Sequence, residues 1–564
     1  MFIDARGIAN AEIEADLCIV GAGAAGITLA IALADSNLRI CLLESGGLAF
    51  RWGTQALYQG RNTGLPYFAL DVCQIRYFGG NTNGWGGWCR PLDPIDFQPR
   101  PWLALSGWPL APGELQPHYR RAIELCELPN DNFDARSWCD RCGEDKARLL
   151  PFDPTKLVPS VYQFSPPTRF GRVYRDKVRN SASIRCFVNA NVLKFDTTYD
   201  ATMVTGALVG TLAGNRFRVS APLFVLAAGG IENARLLLLS NDASPAGLGN
   251  GNDLVGRHFM EHPHTKRGMV VRRGSPSLAV YGLRLHDRGF SVRLDLSPEL
   301  QRREELLHYS ANIHPVYIGH TSEAWLSFRK FVLSLSPARL SDPYVRFPPY
   351  GRKGLSLRQV ADIARRFDQV AIAAFLQLFQ PDRFIAGYVL ESKSEQAPNP
   401  LSRVTLDHER DAFGLNRVKL DWRMLPIDRR TVLRGEEIVE SELMRLGIGR
   451  LAPLPPRELE EWPDNLEGGW HQMGTTRMDP DPRRGVVDAD ARVHGVANLF
   501  VAGASVFPTG GAAPPTLTIV ALTLRLADRV KAWLSAGPVT VLRPQDPISR
   551  SDARTPAAAS SAAS

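Results

Sequence analysis

Asp16-Leu17-Cys18-Ile19-Val20-Gly21-Ala22-Gly23-Ala24-Ala25-Gly26 is the stretch that decides the fold of this chain. A short apolar run feeds a Gly-x-Gly-x-x-Gly turn. Residues 16–20 read as a buried strand, 25–35 as a helix rich in Ala, Leu and Ile, and 38–44 (Leu-Arg-Ile-Cys-Leu-Leu-Glu) as the next strand. That is a βαβ unit of a parallel sheet, the context in which this glycine spacing holds a dinucleotide. Gly21 permits the tight turn, Gly23 lets backbone approach a pyrophosphate, and Gly26 lets helix and strand pack closely. Ala24 and Ala25 open the helix, whose unpaired N–H groups offer partial positive charge to phosphates. Glu44, followed by Ser45, ends the second strand where a carboxylate binds ribose hydroxyls and repels a ribose phosphate.

Working outward, 564 residues suffice for two or more cores, and 44% hydrophobic with 22% charged residues is a globular balance. The net charge of +8 is spread along the chain without an aromatic-interleaved basic stretch, so nucleic acid is not an expected partner. No apolar run is long enough to span a bilayer. No basic segment with an apolar stretch opens the chain, and a cytoplasmic protein is the expectation. Cys18 and Cys41 fall in apolar strands. Cys139 and Cys142 form a C-x-x-C, read as lying in a polar loop, and no second pair has zinc-site spacing. No metal is expected.

From about 51 to 180 the chain is rich in Gly, Pro and Trp and reads as loop and short helix covering a cofactor. Strands return at 184–226; Phe224-Val225-Leu226 runs into Ala227-Ala228-Gly229-Gly230, and a helix resumes at Asn233. From 266 to 465 alternation such as Phe290-Ser291-Val292-Arg293-Leu294 predicts antiparallel strands. A helical stretch at 356–380 carries Val360, Ile363, Phe367 and Ile372, read as core-facing in preference to membrane-facing. Leu499-Phe500-Val501 reads as another buried strand, and a long helix starts near Thr516. The expected class is α/β. A discontinuous Rossmann-like dinucleotide-binding domain takes 1–265 and 466–540. An α+β substrate-binding domain with an antiparallel sheet takes 266–465, and 541–564 form a disordered tail.

There is one dinucleotide fingerprint. A flavoprotein reduced by NAD(P)H ordinarily needs a second nucleotide module, so the single turn argues for bound FAD reduced by the substrate itself.

Five ordered blocks carry a resemblance over about 14–535. They are the N-terminal turn, Phe78-Gly79-Gly80-Asn81-Thr82-Asn83-Gly84-Trp85-Gly86-Gly87, Ala227 to Asn233, Trp470-His471-Gln472-Met473-Gly474-Thr475-Thr476-Arg477-Met478, and Asn498 to Leu526. In these the chain resembles the glucose–methanol–choline (GMC) oxidoreductases, particularly bacterial sugar dehydrogenases and pyranose oxidases. The resemblance implies FAD in an extended form. Gly79, Gly80, Thr82, Asn83, Gly86 and Gly87 would then pass beside the isoalloxazine and pyrophosphate, Val192 near the adenine, and Ala228, Gly503 and Ala504 near the phosphates and ribityl chain. Pro515 and Thr516 would begin a helix whose N-terminus stabilises negative charge on reduced flavin. His471 would be the general base, an imidazole with a free pKa of about 6.5 suited to taking an alcohol proton, while hydride passes to flavin N5.

Two departures matter. Where the family commonly has a second His or Asn, this chain has Pro514, which offers no side-chain donor or acceptor. His471 then acts alone, or His262, His264 or a water replaces the partner; both histidines are expected on the wall of the substrate pocket. Gly84 stands where relatives often carry histidine and cannot attach a flavin, so FAD is expected to be noncovalent. The expected function is oxidation of a hydroxyl of a sugar, glycoside or other alcohol, dehydrogenase favoured over oxidase, with oxygen, a quinone, a dye or a partner protein as acceptor. The alternatives are a non-redox lyase or isomerase that retains FAD, and a flavoprotein subunit delivering electrons to another protein.

Overall fold

A computed structural model describes residues 1–142, 148–272, 274–282, 289–317, 322–334, 357–379 and 384–535; the tail expected to be disordered lies outside them. The opening turn sits on a six-stranded parallel sheet. Its order is Phe2–Asp4, Ile184–Val188, Ile40–Leu43, Leu17–Val20, Phe224–Leu226, Leu499–Val501. Leu17–Val20 and Ile40–Leu43 are buried at every position, as strands covered on both faces must be. The helix Ala24–Ala32 lies on one face and packs against Thr516–Ser535, which also meets Pro112–Leu125. Each fully buried Leu, Ile or Val contributes about 1.5–3 kcal/mol, so this layer is held mainly by its aliphatic strands.

A second, antiparallel sheet has seven strands: Gly449–Leu451, His264–Val271, Ile385–Ser394, Tyr309–Tyr317, Phe290–Leu296, Leu157–Phe164, Trp88–Cys89. Val292, Leu294, Ala311, Ile313 and Leu390 on one face join Ile438, Val439 and Leu443 of the helix Pro426–Arg445 in one apolar cluster. Pro426 takes the first helical position, where a missing N–H costs nothing, and Asp428 accepts from the Leu425 N–H. Gly435 lets the helix lie on Tyr309, since a Cβ there would come 2.7 Å from the ring. Side chains alternate along a strand, so Arg293, Asp295, Glu391 and Lys393 occupy the opposite face. A four-stranded sheet (Glu12–Glu14, Arg216–Ser220, Val204–Gly210, Asn191–Thr197) and a three-stranded one (Arg403–Arg410, Asn416–Asp421, Gly60–Asn62) complete the strands. Among the described residues no helix is long and apolar enough to cross a membrane.

The α/β reading with a parallel and an antiparallel sheet is what the chain adopts; three local expectations are corrected. The segment 51–180 holds a fourteen-residue helix, Pro112–Leu125, and an eight-residue strand, Leu157–Phe164. Proline content misled there. Pro112 is at the first helical position, and Pro159 lies beyond the reach of Trp88–Cys89, which pairs only with Gln163 and Phe164, so its missing N–H faces no ladder. The stretch 356–380 is two helices, Leu357–Arg365 and Phe367–Phe379. Val360, Phe367 and Ile372 are 50%, 65% and 54% exposed, and the buried positions are Val370, Ala373 and Leu376. The packed stripe is thus rotated from the one the periodicity selected. Cys139 and Cys142 lie on the helix Ala135–Cys142, not in a loop, and Cys139 is buried.

Gly26 and Gly23 make opposite demands. A Cβ on Gly26 would overlap the Gly21 carbonyl, whereas one on Gly23 meets nothing within 4 Å. Gly26→Ala is expected to lower the thermal midpoint of the cofactor-free protein or abolish soluble expression, and Gly23→Ala to leave that midpoint unchanged; differential scanning calorimetry of the two variants checks this.

Candidate active site

One cavity runs from the N-terminal turn to the polar face of the antiparallel sheet. At its first end lie Gly21, Gly23, Ala24, Ala25, Glu44, Ser45, Ala228, Gly229 and Gly503. Gly21, Gly229 and Gly503 have φ of 103°, 97° and 119°, values that only glycine adopts freely. Added Cβ atoms at Gly23 and Gly229 would stand in open space, and at Gly503 the nearest atom would be 3.9 Å away. Gly23 caps the helix without a side-chain bond, which leaves its first N–H groups to a ligand. Glu44 is buried. Its Oε2 accepts from Ala22 N–H (3.1 Å) and its Oε1 from Gly46 N–H (2.7 Å), so it fastens the turn to the second strand. Burial pushes its pKa up, and these two bonds oppose the shift. Its Oε1 also accepts from the Ser45 hydroxyl (3.4 Å), and Oε2 keeps a further lone pair for a ribose hydroxyl. Val192 lines this end beside Asn191, Phe413 and Leu415.

Gly80, Thr82, Gly86 and Gly87 line the middle of the cavity. Gly79, Asn83 and Gly26 do not reach it. Asn83 Nδ2 donates to the Phe78 carbonyl (3.0 Å) and Thr82 Oγ1 to the Gly79 carbonyl (2.6 Å). These residues shape the loop that Gly80 presents. Ala504, Pro514, Pro515 and Thr516 close the far wall, where Thr516–Ser535 begins.

At the second end three histidines from two distant segments meet. His262 Nδ1 and His471 Nδ1 are 2.7 Å apart with rings at 80°, and the His264 ring is 6.4 Å from that of His471. All three line the cavity. The sequence left open what stands in for a partner at Pro514; His262 is the group in hydrogen-bond contact with His471. Burial drives the His471 pKa well below the free value, reinforced by His262, Lys393 and Arg293. Burial also takes His262 to about 4. Both rings are neutral at pH 7, so one Nδ1 must donate and the other accept. The Gly510 and Gly511 backbone opposes that lowering, while His262 Nε2 is buried with no hydrogen-bond partner. In the tautomer with the proton on that Nε2, His262 Nδ1 accepts from His471 Nδ1–H and the lone pair of His471 Nε2 is left free.

The loop that carries His471 is gripped by a carboxylate the sequence did not reveal. Glu261 Oε2 accepts from Gly469 N–H (2.9 Å) and His471 N–H (2.9 Å), and its Oε1 from the Tyr67 hydroxyl. Between those two donors Trp470 has φ of 61°, so successive N–H groups converge on one anion. Burial raises the Glu261 pKa to about 7, and the bonds from Tyr67 and the backbone restrain it. The sequence reading also passed over Trp85, Trp88, Arg293 and Lys393 on the cavity wall. His494 Nε2 donates to the Asp479 carbonyl (2.8 Å), away from the cavity.

Glu261→Gln keeps the shape of this group but turns an amide N–H₂ toward backbone donors. Loss of the charge-assisted bonds from the Gly469, His471 and His262 N–H groups is expected to cost about 2–4 kcal/mol. Urea denaturation reads this as a lower midpoint, and an unchanged midpoint would show that the loop stands without the carboxylate.

Residues 398–523 match the family model described as GMC oxidoreductase. The large subunit of fructose dehydrogenase from Gluconobacter japonicus is 27% identical over 322 residues, 57% of this chain and 49% of that one. A 2-methyl-1,2-propanediol dehydrogenase from Mycolicibacterium austroafricanum is 24% identical over 599 residues, 93% of this chain and 96% of that one. The chain thus spans about half of the first relative and nearly all of the second. Among solved structures, a FAD-dependent oxidoreductase from Chaetomium thermophilum shares the fold with a TM-score of 0.55 at 18% identity, covering 92% of this chain and 100% of that one. Residues 398–523 are thus what this chain shares with the GMC oxidoreductase family model, and the parallel sheet with its glycine turn and the antiparallel sheet across the cavity are the fold it shares with that solved FAD-dependent oxidoreductase.

Proposed function

We propose that this chain oxidises a CH–OH group of a sugar, glycoside or other alcohol, with noncovalent FAD as cofactor and His471 as general base. The observation that carries the reading is the His262–His471 pair on the wall of the cavity whose other end is the glycine cradle. Gly21 to Ala25 would hold the pyrophosphate, Glu44 the ribose and Val192 the adenine side. Gly80, Thr82, Gly86, Gly87, Gly503, Ala504, Pro515 and Thr516 would line the ring and ribityl chain. The chemistry FAD supplies when bound is acceptance at N5 of the hydride from the carbinol carbon.

The residues of the chain govern the proton. His471 Nε2 takes it from the substrate hydroxyl. His262 holds the tautomer in which that nitrogen is free, the role a carboxylate plays in hydrolytic triads, and Glu261 fixes the height of the loop. His262 also supplies the polar contact that Pro514 cannot, which removes the main motive for a non-redox lyase or isomerase. A dehydrogenase is favoured over an oxidase, and relatives of both kinds resemble the chain. One of those relatives is named as a large subunit, so a partner protein belongs among the acceptors to be assayed beside oxygen, quinones and dyes.

Anaerobic addition of substrates from a panel of sugars, glycosides and alcohols is expected to bleach the flavin. His471→Ala should slow that step by roughly 10²–10⁴-fold. The base works deprotonated, so activity is present above its pKa and lost as pH falls through it. The acid limb of kcat/KM should lie below the free imidazole value of 6.5. No bleaching by any panel member would overturn the reading. Gly84 and its neighbours offer no nucleophile, and burial keeps Cys73 on the cavity wall as a thiol. Acid precipitation is therefore expected to release all of the flavin to the supernatant.

A further inference from the structure

The wall facing His471 is a sheet face of unusual chemistry. His264 is opposite Lys393, Lys393 opposite Ser310, Ser310 opposite Asp295, and Arg293 lies two positions before Asp295. Directly opposed residues share a face, so one buried surface carries two acids and two bases beside the three histidines. The acids have partners. Glu391 lies 3.2 Å from Lys393 Nζ and 3.1 Å from His314 Nε2. Asp295 lies 3.6 Å from His308 Nε2, an ion-pair contact in which neither of its oxygens accepts a hydrogen bond.

Arg293 does not. It is 2% exposed. Its guanidinium lies 3.9 Å from the centroid of Tyr162 and 4.4 Å from that of Trp88, and its Nε is buried with no hydrogen-bond partner. Among the described residues no carboxylate comes within ion-pair distance of it. Each of the other buried arginines meets an acid: Arg100 with Glu395, Arg235 with Asp411, Arg477 with Asp479, Arg525 with Asp490. Ring faces stabilise a buried cation by about 2 kcal/mol but take none of its N–H donors. A desolvated charge left otherwise unpaired costs several kcal/mol. The side chain borders the same cavity as His471, so the missing counter-charge has a route in.

We propose that Arg293 receives a carboxylate of the substrate, and that the chain therefore acts on polyhydroxy carboxylic acids, with the anionic group on the sheet face and the hydroxyl to be oxidised at His471. The two rings occupy the faces of the guanidinium and leave its edge, whose paired donors match a planar carboxylate. Arg293 supplies a single unbalanced positive charge. A phosphate dianion would need a second, and Lys393 already faces Glu391. A bound carboxylate also offsets the cationic field that, with burial, depresses His471, so the substrate itself would make the base stronger.

This inference rests on the reading of the cavity as an alcohol-oxidising site, and the test separates the two. Purified holoenzyme is titrated anaerobically with matched pairs, gluconate against glucose and galacturonate against galactose, and with glucose 6-phosphate. Isothermal titration calorimetry follows binding of the same compounds independently of flavin reduction. Half-saturation by each acid is expected at least about tenfold below that of its neutral twin, one charge-assisted pair's worth. R293Q should raise it roughly 30-fold for the acids, the low end for a lost buried charge pair, and by a much smaller factor for the neutral sugars. R293K, which keeps the charge and serves if R293Q does not fold, should lie between. Neutral twins that bind as well as the acids, equal effects of R293Q on both, or tighter binding of the phosphate ester would each overturn the carboxylate assignment. If no compound reduces the flavin but the acids bind and R293Q abolishes that binding, the oxidation reading fails and the anion site stands. If nothing is reduced and the acids do not bind, both fall.

Discussion

The site depends on a single carboxylate that joins two stretches of chain 210 residues apart. Glu261 leaves the segment that supplies His262 and His264; its Oε2 accepts from the Gly469 and His471 N–H groups and its Oε1 from the Tyr67 hydroxyl. Without that grip, nothing local would keep a bulky residue such as Trp470 at positive φ, a conformation that costs roughly 1–2 kcal/mol for any residue with a Cβ. The strain is tolerated because the two N–H donors it aligns face a buried anion. Backbone geometry, rather than packing of the imidazole alone, thus sets where His471 stands.

The same economy recurs at the other end of the cavity. Glu44 is a buried carboxylate that ties Ala22 N–H to Gly46 N–H, and so holds a glycine turn whose own side chains can hold nothing. In both places an acid buried in low dielectric is kept by backbone donors, where hydrogen bonds to a charged group are stronger than between neutral ones. The turn and the histidine loop are rigid for the same physical reason.

How much of this was legible in the sequence follows from the range of the signals. The βαβ unit and Glu44 were read directly, because a buried strand, a glycine turn and a helix announce themselves within thirty residues. Leu157–Phe164 was not, because Pro159 masks it and its partner strand lies more than a hundred residues on. Val360, Phe367 and Ile372 were placed on the wrong side of their helices because periodicity shows that a stripe exists, not which neighbour covers it. His471 was found through a block of surrounding residues. Glu261 carried no such mark, since its role exists only once residues 469–471 are folded over it. Arg293 was hidden by the alternation that revealed its strand: polar positions between apolar ones normally face water, and here they face a cavity.

The two groups that meet in that cavity hang from separate backbones. The imidazole is aimed by a strained loop, while the cationic wall opposite it belongs to regular strands whose other face is packed on a helix. Point changes on the strands can alter the charge of that wall without moving the imidazole. Descendants of such a scaffold can vary the two one residue at a time, each independently of the other.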